Sequence, residues 1–173
     1  MFIACENDVE EVNALAASNA KADPVESSKD VEMIYSDSAQ IKMKLVAGKI
    51  DRFIIEDKSY FEMDEGLHIY FYDNDSLVTT ELKADNGKGF DNRNGMERME
   101  VENNVVLTNE EGNKLNTEYL EWDALRHIIH TDKFVKITTK DEIIWGHGLE
   151  ANEDFSEYEI MNVKGQLTID DSL

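Results

Sequence analysis

Three histidines come nearest, by residue type and spacing, to forming a metal site. His127 and His130 are three residues apart, His147 follows later, and the one cysteine, Cys5, is far from all of them. A spacing of three places two strand residues on opposite faces of a sheet, whereas zinc needs several ligands around one point. The sequence therefore predicts no metal site and assigns the histidines no chemistry.

The short acidic and glycine-rich motifs do not complete a site either. Asp73-Asn74-Asp75 and Asp85-Asn86-Gly87 have oxygen ligands at calcium-loop spacing, but neither has the glutamate that closes an EF-hand loop. The first motif instead predicts a hairpin turn. Gly87-Lys88-Gly89 lacks the rest of a phosphate-binding loop, no serine stands in a nucleophile elbow, and the abundant carboxylates single out no glycosidase pair. We therefore expect no enzyme activity and no cofactor.

The charge of the chain limits its partners. Its 173 residues include 38 acidic and 17 basic side chains, which gives a net charge of −21. Such an excess repels the phosphates of nucleic acids and opposes electrostatic docking to anionic bilayers. The length fits one domain, and the aromatic and β-branched residues supply material for a core. The composition thus predicts one acidic globular domain that does not bind nucleic acid.

A repeat with a period of 30 residues indicates stacked pairs of β-strands. Each unit contains two extended segments joined by turn residues, and such a pair cannot bury its apolar face alone. The units are therefore expected to stack or to curl over one another. The positions related by this offset are Leu107, Ile137 and Leu167, then Leu115 and Trp145, then Tyr119 and Leu149.

Alternating apolar and polar residues predict β-strands along most of the chain. The predicted strands are 41–47, 67–72, 77–82, 99–101, 105–108, 114–122, 127–130, 134–138, 143–149, 158–161 and 166–169. Residues 86–94, punctuated by Gly87 and Gly89, are predicted to form a loop. No segment has convincing helical periodicity, and no run of about 18 apolar residues is present to span a membrane.

These strands predict an all-β protein. The constant offset favours progressive stacking of hairpins over a Greek key, so we expect a twisted antiparallel β-jellyroll-like sheet folded into a V with an apolar interior. An open stack leaves unpaired backbone groups at both edges. Such edges invite a partner that adds its own strands.

The N-terminal residues predict a tethered protein. Phe2-Ile3-Ala4-Cys5 resembles the lipobox that ends a bacterial lipoprotein signal, in which the cysteine is acylated. Residues 6–30 are polar and lack a core pattern, which is typical of a flexible acidic tether. We therefore divide the chain into a tether over residues 1–30 and a β domain over residues 31–173. Membrane attachment is expected through a lipid anchor on Cys5 or through an N-terminal segment that is missing from this sequence.

Several stretches of the predicted domain together resemble the LptC family. They are residues 34–38, 45–47, 66–73, 119–123, 132–137 and 145–152, with Asp154-Phe155 after them, and the resemblance covers roughly 31–169. It implies a β-jellyroll without catalytic residues, tethered to a membrane in the periplasm. It also implies that the protein takes lipopolysaccharide from an inner-membrane ABC transporter complex and passes it to a bridge protein of similar fold by edge-strand pairing. Better-known members hold themselves by an N-terminal transmembrane helix, where this chain has the lipobox-like Cys5.

Lipopolysaccharide carries acyl chains and a phosphorylated head group, which a chain of this charge repels. Binding must therefore come from acyl chains in an apolar groove, where each buried methylene contributes about 0.8 kcal/mol. The same side chains also fit a packed core, and the sequence does not separate the two interpretations. The residues expected to line the groove are Ile41, Met43, Leu45, Ile69, Phe71, Leu107, Leu115, Tyr119, Val135, Ile137, Trp145 and Leu149.

A second interpretation is an acidic β-sandwich lipoprotein for adhesion or carbohydrate binding at the cell surface. Trp122 and Trp145 could stack on sugars, although tryptophans on a β-sheet more often face the core. A carbohydrate site would need exposed aromatic rings rimmed by Asn, Asp and Arg. An apolar V-shaped interior that is open at its ends would favour lipid transport instead.

Overall fold

The protein is all-β in the computed structural model, as the sequence predicted. The structure describes residues 23–37, 39–55, 58–92 and 95–169, and all regular secondary structure in these ranges is β-strand. The strands are β1 (Glu26–Asp37), β2 (Gln40–Ile55), β3 (Lys58–Tyr72), β4 (Val78–Ala84), β5 (Asn86–Asn92), β6 (Gly95–Asn109), β7 (Lys114–Asp123), β8 (Ile128–Thr138), β9 (Glu142–Asn152) and β10 (Tyr158–Thr168).

All ten strands belong to one antiparallel sheet. Its order is β1-β2-β3-β4-β6-β7-β8-β9-β10, and β5 pairs with β3 and β6. β4 and β5 together occupy one strand position beside β3, because β4 pairs with residues 67–72 of β3 and β5 pairs with residues 59–63. The described chain is thus an up-and-down meander, which confirms the predicted stacking of hairpins over a Greek key.

The period of 30 residues is the length of one hairpin of this meander. Leu107, Ile137 and Leu167 lie on β6, β8 and β10, which run in the same direction with one strand between each pair. Leu115 of β7 pairs with both Leu107 and Ile137, and these three side chains are fully buried. Leu167 is 56% exposed because β10 is the edge of the sheet.

The long strands are interrupted at the same level across the whole sheet. We call this line the crease. In β3, Glu65 and Gly66 have positive φ angles of 64° and 85°, and in β6 Asn103 and Asn104 have φ angles of 65° and 52°. Backbone bonds connect these points: the Gly66 N–H donates to the Asp85 carbonyl (3.0 Å), and the Asp85 N–H donates to the Asn103 carbonyl (3.0 Å). The same line continues through Gly48 in β2, residues 132–133 in β8 and Gly148 in β9.

The crease divides the sheet into two half-sheets. The first half-sheet contains residues 31–37, 40–47, 67–72, 78–84, 105–109, 114–117, 134–138, 142–147 and 162–168. The second contains residues 26–29, 49–55, 58–64, 86–92, 95–102, 119–123, 128–131, 149–152 and 158–160. Several predicted short strands are therefore halves of longer ones: 99–101 and 105–108 both belong to β6, and 158–161 and 166–169 fall almost wholly in β10.

The half-sheets face one another across an apolar interior, as the predicted V requires. Phe71 of the first half-sheet meets Trp122 of the second edge to face, with ring centroids 6.2 Å apart. We call the buried side chains between the half-sheets the core cluster. Its members are Met43, Leu45, Ala47, Ile50, Phe61, Met63, Leu67, Ile69, Leu82, Ala84, Met99, Val101, Val105, Leu107, Leu115, Leu120, Ile129, Val135, Ile137, Leu149, Ala151 and Phe155.

The predicted loop over residues 86–94 is wrong, because residues 86–92 form β5. Its glycines fit a strand since larger side chains of β3 cover them. A Cβ atom at Gly89 would overlap the ring of Phe61, its cross-strand partner, and one at Gly87 would lie 2.7 Å from the Met63 side chain. Because glycine has no Cβ atom, these two positions leave room for core side chains. The glycines therefore do not mark a turn.

The N-terminal boundaries also differ from the prediction in detail. β1 begins at Glu26, before the predicted start of the domain at residue 31. Residues 1–22, with Cys5 and most of the predicted tether, lie outside the described residues. β8 begins at Ile128, so His127 lies in the preceding turn and not in the predicted strand 127–130.

Substitution of Gly89 by alanine tests the close contact with Phe61. We expect Gly89→Ala to lower the free energy of unfolding by about 1–3 kcal/mol, because the new methyl group overlaps the ring. Urea unfolding of the single variants and of Gly89→Ala/Phe61→Leu measures the coupling. If Gly89→Ala costs as much in the Phe61→Leu background as it does in the wild type, the ring does not occupy the missing Cβ position.

Candidate functional site

Most of the predicted groove residues meet in the interior between the half-sheets. The core cluster is apolar, and its side chains come from strands of both half-sheets. The predicted residues that belong to it, each at most 1% exposed, are Met43, Leu45, Ile69, Leu107, Leu115, Val135, Ile137 and Leu149. Phe71 packs against the cluster from its margin and is only partly buried. These side chains have core positions in this structure.

Three predicted groove residues lie elsewhere. Ile41 is 40% exposed near the start of β2. Trp145 is half-buried and its ring covers Gly165 on β10, where a Cβ atom would overlap the ring. Tyr119 lies on the side of β7 that carries Glu121, and its hydroxyl donates to the Glu121 carboxylate (3.0 Å). Partial burial and this hydrogen bond raise the pKa of Tyr119 above its usual range.

The position of Tyr119 follows from the irregularity in β7. The register between β7 and β8 shifts between Thr117 and Glu121. Leu115 and Thr117 are buried before the shift, and Leu120 is buried after it. Simple alternation from Leu115 would have placed Tyr119 inside. The structure places Leu120 and Trp122 on the core side instead.

A cavity of about 640 Å³ opens between the tips of the half-sheets, at the ends furthest from the crease. Its apolar wall includes Met43 and Phe71 from the first half-sheet and Trp122 from the second. The remaining lining residues, mostly in or beside hairpin turns, are Tyr35, Lys42, Tyr72, Asp73, Asn74, Thr79, Ala124, His127, Asn152, Glu153 and Asp154. Sequence alternation identified Met43 and Phe71 but not the turn residues, because no local pattern shows which turns meet.

Polar side chains hold the rim of this cavity. The Lys42 ammonium group donates to the Asn74 side-chain oxygen (2.7 Å). The Trp122 indole N–H donates to one Glu153 oxygen (2.7 Å), and His127 Nδ1 lies 3.2 Å from the other. Glu153 thereby connects the turn after β7 with the turn after β9. An apolar wall with a polar rim suits an amphiphile whose chains enter and whose head group stays outside.

A second cavity, of about 380 Å³, lies beside the edge strand β1. Val31 and Met33 of β1 line it together with Phe61. At this cavity the Arg52 guanidinium lies 3.1 Å from the Asp91 carboxylate. This second cavity therefore lies at the β1 edge of the sheet.

Both edges of the sheet are formed by strands with apolar side chains in solvent. β1 has a neighbour only in β2, and β10 has a neighbour only in β9 among the described strands. Ile34 on β1 and Met161, Val163 and Leu167 on β10 are all more than half exposed. Long apolar edges of this kind are sites where another chain can add a strand.

The described residues contain no group of three or more His, Cys, Asp or Glu side chains that could hold a metal ion. Within the same ranges, no helix is long and apolar enough to cross a membrane. Phe134 is the one exposed aromatic side chain of the described part, and it meets His147 edge to face.

Comparison with known proteins identifies one family. A family model described as "Lipopolysaccharide-assembly, LptC-related" matches residues 4–168 of the 173. No curated protein matches the chain. The matched region contains all ten strands and both cavities.

Proposed function

The chain belongs to the LptC-related family of lipopolysaccharide-assembly proteins, and on that premise we propose that its folded sheet accepts the acyl chains of lipopolysaccharide between the half-sheets. The family takes part in lipopolysaccharide transport, faces the periplasm, and consists of transport and binding proteins and not of enzymes. The proposal concerns how this chain performs that role.

The cavity between the tips of the half-sheets is the observation that carries the proposal. Its volume of about 640 Å³ lies within the range of about 300–1,000 Å³ that is usual for ligand sites. Phe71 and Trp122 provide apolar contact at the entrance, and Met43 leads from the cavity into the core cluster. An acyl chain that enters here meets apolar atoms along its length.

The charge of the protein makes the acyl chains the source of affinity. A net charge of −21 opposes a phosphorylated head group. About 0.8 kcal/mol for each buried methylene means that part of one chain offsets several kcal/mol of this repulsion. The head group remains outside the polar rim, where Lys42 supplies one positive charge beside the carboxylates of Asp73, Glu153 and Asp154.

The edge strands support a hand-over between similar sheets. We propose that the protein receives lipopolysaccharide from the inner-membrane ABC transporter complex and passes it to a periplasmic bridge protein of similar fold, which pairs with an edge strand. The exposed apolar residues of β10 support docking of the bridge protein at this edge. Strand pairing would align the interior of one sheet with that of the next, so acyl chains stay out of water during transfer.

A membrane tether at the N-terminus completes the proposal. Acylation of Cys5, or an N-terminal segment that precedes this sequence, would hold the domain to a membrane while the sheet stays in the periplasm. A single acyl chain gives marginal binding, and two or more give stable attachment.

Photo-crosslinking at Phe71 tests the lipid path. With the photoreactive amino acid benzoylphenylalanine at position 71, we expect a covalent adduct with lipopolysaccharide in cells, because this side chain lines the cavity. Position 70 in the same strand is the matched control. The Tyr70 hydroxyl lies 2.8 Å from His68 Nδ1, and Tyr70 pairs with Lys44 on the outer face. Adducts of equal yield at positions 70 and 71, or at neither, would refute an acyl path through this cavity.

Proline in β10 tests the docking of the bridge protein. The Ile169 N–H donates to the Asp141 carbonyl (2.7 Å), and N–H groups alternate in direction along an antiparallel strand. The Leu167 N–H therefore points towards β9, and the Thr168 N–H points outwards, where an added strand would accept its hydrogen bond. We expect Thr168→Pro to weaken binding to the purified bridge protein by at least about tenfold, through the lost bond and the bulk of the ring.

Two further variants control for damage to the domain itself. Thr168→Ala keeps the outward N–H and should bind normally. Leu167→Pro removes a bond to β9 and should lower the melting temperature, whereas Thr168→Pro should leave it nearly unchanged. Normal affinity of Thr168→Pro for the bridge protein would contradict docking at β10.

A further inference from the structure

The turn between β9 and β10 inserts an aromatic ring into the interior. We call residues 152–157 the Phe155 loop. Phe155 is 1% exposed and belongs to the core cluster, although Asp154, Ser156 and Glu157 around it are exposed. Its ring stacks on Tyr158 with centroids 5.2 Å apart. A surface turn thus supplies one of the largest fully buried side chains of the described residues.

Hydrogen bonds from the opposite half-sheet hold this loop in place. The Thr80 hydroxyl of β4 donates to the Asp154 carbonyl (3.1 Å), and the Asn109 side-chain amide of β6 donates to the Phe155 carbonyl (3.3 Å). Within its own half-sheet, the loop is held by Glu153, which accepts the bond from the Trp122 indole. The loop therefore bridges the tips of the two half-sheets through polar contacts, and the two from the opposite half-sheet come from the buried residues Thr80 and Asn109.

The backbone of the loop is also strained. Phe155 has a φ of 56°, in the left-handed region that bulky residues rarely adopt. Such a conformation persists only while surrounding contacts enforce it, and residues of this kind are concentrated at clamps and switches. The bonds from Thr80 and Asn109 enforce it together with bonds inside the loop, in which the Phe155 N–H donates to the Asn152 carbonyl (3.1 Å) and the Glu157 N–H donates to the Asn152 side-chain oxygen (3.0 Å).

The loop lies between one side of the cavity and the core cluster, and Met43 joins the two at another side. Asn152, Glu153 and Asp154 line the cavity of about 640 Å³, and the next residue, Phe155, is in the core cluster. A short acyl chain can occupy the cavity with the loop in its present position. A longer chain that extends past Asp154 into the core cluster meets the Phe155 ring, the next side chain of the loop.

We propose that the Phe155 loop is a lid that determines how far an acyl chain enters, so that Phe155 governs chain-length selectivity. This inference rests on the proposed function and adds a selectivity element to it. Displacement of Phe155 takes an apolar ring out of the core, and only a chain long enough to fill the vacated space compensates for that loss. A ligand shifts such an equilibrium only by its difference in affinity for the two states, so long chains open the lid and short chains do not.

Competitive displacement of dansyl-undecanoic acid by decanoate and by palmitate tests the lid. In Phe155→Ala we expect palmitate to bind about tenfold more tightly than in the wild type, with decanoate nearly unchanged. Thr80→Val keeps the Phe155 ring and removes one hydrogen bond to the loop, so the affinity for palmitate should rise about threefold. Glu157→Gln, an exposed carboxylate of the same loop, is the control and should leave both affinities unchanged.

Tryptophan fluorescence provides a second readout. The chain has two tryptophans, so Trp145→Phe leaves Trp122, whose indole N–H is bonded to the loop residue Glu153. Contact with either acyl chain should shift the emission of Trp122 to shorter wavelength. Because only palmitate opens the loop and breaks the bond to Glu153, we expect a smaller shift with palmitate than with decanoate.

The outcomes separate the lid from the proposed function. If neither acid displaces the probe from the wild type, acyl binding itself fails. If both acids bind but Phe155→Ala and Thr80→Val change the two affinities equally or not at all, the lid is refuted and acyl binding stands. Should Phe155→Ala prove too unstable to assay, the ratio of the two affinities in Thr80→Val decides.

Discussion

The crease makes a single sheet bury one of its faces against itself. A meander with nine strands in its path would otherwise expose both faces to water. An interruption in one strand alone would break its pairing with both neighbours. The interruptions therefore align, and backbone bonds tie Gly66 to Asp85 and Asp85 to Asn103 across them. Glu65, Asn103 and Asn104 adopt positive φ angles there, at an expected cost of about 1–3 kcal/mol each. The apolar contact between the half-sheets has to offset this strain, so the crease and the core cluster depend on each other.

Sequence alternation predicted the strands within each half-sheet but not their continuity. In segments such as 41–47 and 67–72, apolar and polar residues alternate cleanly because one face of the strand is buried and the other faces solvent. At the crease the alternation stops, which is why β6 and β10 were predicted as separate pieces. The phase also changes there, so Tyr119 was expected inside where Leu120 lies. Gly87 and Gly89 resembled loop residues because the side chains that cover them, Met63 and Phe61, belong to a distant part of the sequence.

The distribution of charge suits a sheet with open edges. On the outer face, solvent-accessible cations are paired across strands, as with Lys44 and Glu32 (2.8 Å). Exposed pairs of this kind contribute about 0–1 kcal/mol each, so their effect on stability is small. The excess of carboxylates has a larger consequence. It repels a second copy of this chain, and so it opposes uncontrolled pairing at the apolar edges of β1 and β10.

The interior has to serve as a core and, in our proposal, as a lipid path. Both roles call for the same side chains, which is why the predicted groove residues could be named from the sequence but not separated from packing residues. Packing residues and residues that lipid could reach differ in their distance from the tips of the half-sheets. Leu107, Leu115 and Ile137 are fully buried, and a ligand reaches them only if packing gives way. Phe71 and Trp122 are only partly buried at the cavity. Contact with lipid can therefore begin at the tips without loss of the core, and deeper entry has to displace a protein side chain for each segment of acyl chain that it buries.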